Sequence, residues 1–146
     1  MFENKSLLYI CTVLEAIEKI EFYSLGFKNS RDLLEANEQM NFNAVSRLLL
    51  AIGEETKKID EHLLNLQPHI NWNAIIGLRN RMAHDYRGID PEIVYDIVRT
   101  ELKSLKKALI EMLPRFSISR EDLTMVLTSA YFKHIQYIEG YLKIKD

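Results

Sequence analysis

The sequence is poor in everything that staples or breaks a chain. A single cysteine, Cys11, excludes an internal disulfide, and its place in an apolar helical run marks it as a small core residue. Three prolines and five glycines in 146 residues leave few sites for tight turns. That scarcity argues for long helices over many short strands. Excess basic charge is missing too: 19 Lys and Arg stand against 21 Asp and Glu, a net charge of −2. No overall positive field therefore advertises nucleic-acid binding, in which phosphate contacts dominate affinity. Long apolar runs are absent as well. No window approaches the roughly 20 residues a membrane helix needs, and the N-terminal residues lack a charged-then-apolar signal pattern. A soluble, cytoplasmic, membrane-independent protein is expected. No internal repeat or low-complexity segment is found.

What is present is apolar periodicity. Hydrophobic residues make up 47% of a chain the size of one domain, enough to bury a substantial core. Apolar residues recur at three and four over residues 5–25 (Leu7, Ile10, Leu14, Ile17), with Gly26 as the cap. A shorter helix is expected over residues 30–40, with Ser30 as N-cap. A long one follows over residues 43–66, with Gly53 in its middle, where it costs about 1 kcal/mol relative to alanine. A close helix–helix approach would explain that glycine. Pro68 ends this helix, and Asn71 or Asn73 caps the next, which opens on Trp72, expected in the core. Asp90-Pro91 starts a fourth helix, running to about Leu113. A final helix is expected over residues 119–142, either covering the bundle or offering an aromatic-rich partner or RNA surface. The fold class is all-α, a bundle of four to five helices.

One stretch does not serve the helical pattern. Arg79-Asn80-Arg81-Met82-Ala83-His84-Asp85-Tyr86 crowds guanidinium, imidazole and phenol together just before Gly88 and Pro91. On a continuous helix Arg81 and His84, three apart, would share a face. Arg79 and His84 would sit roughly 140° apart at about 100° per residue and flank a point between them. These groups suit phosphoryl transfer. Guanidinium binds phosphate oxygens through paired hydrogen bonds and stays charged, while imidazole exchanges a proton near neutrality. Tyr86 offers a hydrogen bond or a stacking face. Asp85 alone makes no metal site, and neither metal nor cofactor is expected. The bland alternative is that Arg and His simply complement the end of a helix. Two roles are likewise open to Glu54 and Glu55: orienting Arg79 or Arg81, or pairing at the surface with Lys57 and Lys58.

The pattern R-x-x-x-x-H-x-Y over residues 79–86 resembles the signature of the HEPN superfamily, specifically the HepT-like ribonuclease toxins. The likeness is wider than the motif. NAVSRLLLAIGEETKKI, residues 43–59, resembles that family's second long helix with its Ile-Gly-Glu centre. INWNAIIGLRNRMAHDYRGIDPEIVYDIV, residues 70–98, resembles its Trp helix, Arg-Asn-Arg run and the start of the following helix. Residues 5–113 are covered in all. The resemblance implies a single HEPN domain over residues 1–146, with residues 117–146 an extra C-terminal helix, and a homodimer that brings two motifs together. It implies metal-independent RNA cleavage by Arg79 and His84, with Asn80, Arg81 and Glu54 in support. It also implies an MntA-like nucleotidyltransferase antitoxin that silences the toxin by adding AMP to Tyr86. Two other readings stay open. One is a non-catalytic helical subunit that binds a nucleotide or a partner, and the other is a dimerisation module in which the motif is structural.

Overall fold

A computed structural model describes residues 4–84 and 88–145 of the chain. It is mostly helical, with a few very short strands. α1 spans Lys5–Tyr23, capped by the Asn4 side chain, which accepts a hydrogen bond from the Leu7 amide. Its apolar face buries Ile10, Leu14, Ile17 and Ile20 completely, and Cys11 with them. Burial pushes the Cys11 thiol up to about 12, as expected of an inert core residue. α2, Ser30–Glu35, is capped by Asn29 and not by Ser30. A 3₁₀ turn over Ala36–Gln39, with three successive residues at positive φ, leads into α3, Met40–Lys57. α1 and α3 pack side by side around Val45, Leu49 and Ile52, all fully buried.

The third helix ends nine residues before the periodicity does. Lys58 and Ile59 donate to Glu55 and Thr56, the tightened pattern of a helix end. The Asp60 amide leaves the ladder and donates to Ser6 Oγ at 3.1 Å. A single turn, α4 (Glu61–Leu64), follows, so Ile59, Leu63 and Leu64 still point inward. The spacing of apolar residues runs through the break, which is why the sequence conceals it.

α5, Trp72–Ile76, and α6, Leu78–Met82, are separated at Gly77. α7, Pro91–Thr100, and α8, Leu102–Met112, meet at Glu101, where a single helix to Leu113 was expected. The Asp90-Pro91 start of α7 is as the sequence predicts: Asp90 Oδ1 accepts from the Glu92 and Ile93 amides and Pro91 opens the helix. The C-terminal region departs furthest. Ser119 does cap a helix, α9, but that helix covers only Arg120–Thr128. The chain then leaves the α-helical path, with a 3₁₀ helix over Gln136–Gly140, and Lys143–Lys145 pairs in parallel with Ser117–Ser119. Polar anchors replace helical continuity here. Glu15, on α1 and 3% exposed, accepts from the His134 amide at 2.7 Å and meets His134 Nδ1 at 2.6 Å. Glu18 takes the Tyr137 hydroxyl at 2.7 Å. Among the described residues no helix is long and apolar enough to cross a membrane.

Gly53 explains how the site is held. A Cβ there would lie 2.9 Å from the Ile75 carbonyl oxygen and 3.5 Å from Leu78 Cβ. The glycine therefore lets α3 touch the α5–α6 arm backbone to backbone. Alanine has the better helix propensity, but the backbone carbonyl cannot rotate away as a flexible side chain would. Gly53→Ala is expected to destabilise the fold by about 1–3 kcal/mol, read as a lowered midpoint in urea unfolding. A neutral or stabilising result would show that the two segments have room to separate.

Candidate active site

The arm that carries the polar stretch is pinned from its start. Asn71 Oδ1 accepts from the Ala74 amide, and the half-buried Trp72 donates Nε1–H to the Leu64 and Gln67 carbonyls at 2.8 and 3.1 Å. Trp72 is thus a core-edge anchor. On α6, Leu78 and Met82 are fully buried, which turns Arg79 and Asn80 outward. No large aliphatic residue follows Met82 until Ile89, so a longer helix would have little apolar face to bury. The chain instead becomes extended at Ala83, and Ala83 and His84 pair antiparallel with Ile89 and Gly88.

This corrects the helical reading of the motif. His84 is not on the helix of Arg79 and Arg81, and neither the shared face of Arg81 and His84 nor the 140° separation applies. His84 stands two residues beyond Met82 on a short strand. Tyr86, with Asp85 and Arg87, lies outside the described residues.

The two arginines have opposite environments. Arg79 is 67% exposed at its side chain, and its Nη2 donates to Glu54 Oε1 at 2.6 Å across from α3. Arg81 turns inward. It grips Glu101 with both terminal nitrogens, at 2.9 and 2.5 Å, and its Nη1 also reaches the Ala74 carbonyl at 3.3 Å. The Glu101 hydrogen bonds push the Arg81 guanidinium above its ordinary value. Arg81 therefore fastens α6 to the α7–α8 junction, and the break at Glu101 has a use. Of the two neighbouring acids, Glu54 meets Arg79 while Glu55 pairs with Lys58 at 3.1 Å. Asn80 is exposed beside Arg79. His84, 44% exposed, has its Nδ1 3.4 Å from Asp90 Oδ2.

Two participants were not legible from the sequence. Glu101 reads as a surface acid in an uninterrupted helix, and no spacing rule ties it to Arg81. Asp90 is readable as a cap, but its second oxygen meets His84 only because the chain doubles back.

Fold and site together define a class: a helical domain that holds one exposed guanidinium and one imidazole near each other in the chain, each against a carboxylate, with a second guanidinium locked behind them. Comparison with known proteins narrows it. The chain belongs to the family described as Ribonuclease HepT-like, whose model matches residues 13–112. The match stops at the end of α8, so the segment carrying α9 and the parallel pair lies beyond it. The chain is 32% identical over 98 residues to "Probable ribonuclease HepT" of Thermococcus cleftensis, covering 67% of this chain and 86% of that one. It is 30% identical over 96 residues to "Putative RNase MJ0127" of Methanocaldococcus jannaschii, covering 59% and 79% respectively. No solved structure matches.

Proposed function

We propose that the chain is a metal-independent endoribonuclease toxin, working in the cytoplasm as a homodimer with RNA as its substrate. One observation carries the reading. Arg79 and His84 both face solvent, each beside an acid, while Arg81 between them is committed to structure. Family membership and the names of the relatives point to RNA as the substrate. In the proposed reaction Arg79 exchanges Glu54 for a phosphate oxygen and stabilises charge on it. One His84 takes the proton of the ribose 2′-hydroxyl, whose oxygen attacks phosphorus. The His84 of a second protomer protonates the departing 5′-oxygen. The P–O5′ bond breaks, leaving a 2′,3′-cyclic phosphate and a 5′-hydroxyl.

Purified wild-type and His84→Ala proteins, incubated with labelled RNA, test this assignment. The variant is expected to lose at least about 10²-fold in rate. Equal cleavage by both would remove His84 from the chemistry.

Silencing is proposed to follow from AMP transfer to Tyr86 by an MntA-like nucleotidyltransferase. An AMP group two residues from His84 adds bulk and negative charge and repels the substrate phosphate. Intact-mass analysis after co-expression with such an enzyme should show AMP adducts that Tyr86→Phe abolishes. A silenced complex with unmodified protein would point to occlusion instead.

A further inference from the structure

We infer that Asp90 is a positioning residue for His84, joining the motif to the start of α7. The inference rests on the ribonuclease reading for its rate prediction, and on geometry alone for the rest. Asp90 divides its carboxylate. Oδ1 caps α7, accepting from the Glu92 amide at 2.9 Å and the Ile93 amide at 3.4 Å. Oδ2 lies 3.4 Å from His84 Nδ1. Its backbone amide also donates to the Met82 carbonyl at 2.8 Å, so Asp90 ties the end of α6 to the cap that begins α7. A carboxylate so fixed cannot follow the imidazole; the imidazole must align to it.

The chemical consequence concerns which ring nitrogen carries the proton. A carboxylate at Nδ1 holds the proton there and makes Nε2 the basic atom. Proton transfer to and from RNA then runs through Nε2 on every turnover, without a search among tautomers. The 3.4 Å separation is longer than a tight N–H···O bond, and contacts of this kind close up when substrate binds. The arrangement couples chemistry to fold: whatever disturbs the first turn of α7 also turns His84.

Asn is as good an N-cap as Asp, so Asp90→Asn separates the two roles of this residue. Asp90→Ala removes both. For Asp90→Asn we expect an unchanged melting temperature, KM for RNA within about twofold of wild type, and kcat lowered about 10- to 100-fold. Asp90→Ala should lose the same kcat and melt earlier. Nitrogen-15 NMR of the His84 ring gives a readout independent of activity: Nδ1-protonated in wild type, a mixture of tautomers in Asp90→Asn. A normal kcat in Asp90→Asn, or an unchanged tautomer, overturns the inference. If wild type cleaves no RNA the ribonuclease reading fails, and the tautomer measurement alone decides the role of Asp90.

Discussion

Arg79→Ala is expected to lower the rate of RNA cleavage by about 10²- to 10³-fold while leaving the fold where it was. The kinetic part follows from charge. In the proposed reaction the phosphorane-like transition state gathers negative charge on its non-bridging oxygens, and removing one preorganised donor from such a centre typically costs that factor. The structural part follows from exposure. The Arg79–Glu54 pair is more than half exposed on both sides, and pairs of this kind contribute little to stability. The variant should therefore unfold within about 0.5 kcal/mol of wild type. Arg79→Lys should recover only part of the activity, because a point charge does not reproduce the paired hydrogen bonds of guanidinium. Cleavage at the wild-type rate by the alanine variant would mean that another cation serves the phosphate.

Arg81→Ala is expected to do the reverse and destabilise the fold first. Its guanidinium makes two hydrogen bonds to Glu101 and one to the Ala74 carbonyl, with both side chains about a third exposed or less. Alanine leaves the Glu101 carboxylate half-buried without its cation. Charge-assisted bonds of this type are worth about 2 kcal/mol net, so the melting temperature should drop by roughly 4–8 °C. Lysine should not restore it, since one ammonium cannot span both carboxylate oxygens. Activity should fall only as far as the α6 arm loosens. The double change Arg81→Ala with Glu101→Gln should be less damaging than the single one, because the unpaired charge is then gone. A melting temperature equal to wild type in Arg81→Ala would reassign Arg81 to the reaction.

This contrast between two neighbouring arginines shows what the sequence disclosed and what it withheld. The helical character, the apolar faces of α1, α3 and α8, the Asp90-Pro91 start and the need for a glycine at position 53 were all legible. Each is a local matter of periodicity, capping or steric size. The motif residues were legible as chemistry, since guanidinium and imidazole are rare company in an otherwise apolar stretch. Their geometry was not. Nothing at Ala83 marks the end of a helix, with neither glycine nor proline there. The helix stops because there is no further core for it to cover, and that depends on the rest of the chain. The division of labour between Arg79 and Arg81 depends on Glu54 and Glu101, 25 and 20 residues away, partners that only the folded chain selects. The C-terminal segment misled for a related reason. Ile135, Ile138 and Leu142 have helical spacing, but Glu15 and Glu18 draw His134 and Tyr137 onto α1 and hold the chain off an α-helical path.

The most direct test of the account is the chemistry of the product ends. Purified protein shown by intact mass to carry no adduct is incubated with end-labelled RNA in EDTA, and the fragments are analysed for their termini. Cleavage is expected to persist in EDTA and to leave 2′,3′-cyclic phosphate and 5′-hydroxyl ends. Cleavage that stops in EDTA would show that a metal ion is required, and fragments bearing 5′-phosphates would show that water and not the neighbouring 2′-hydroxyl attacks; either result would contradict the proposed reaction.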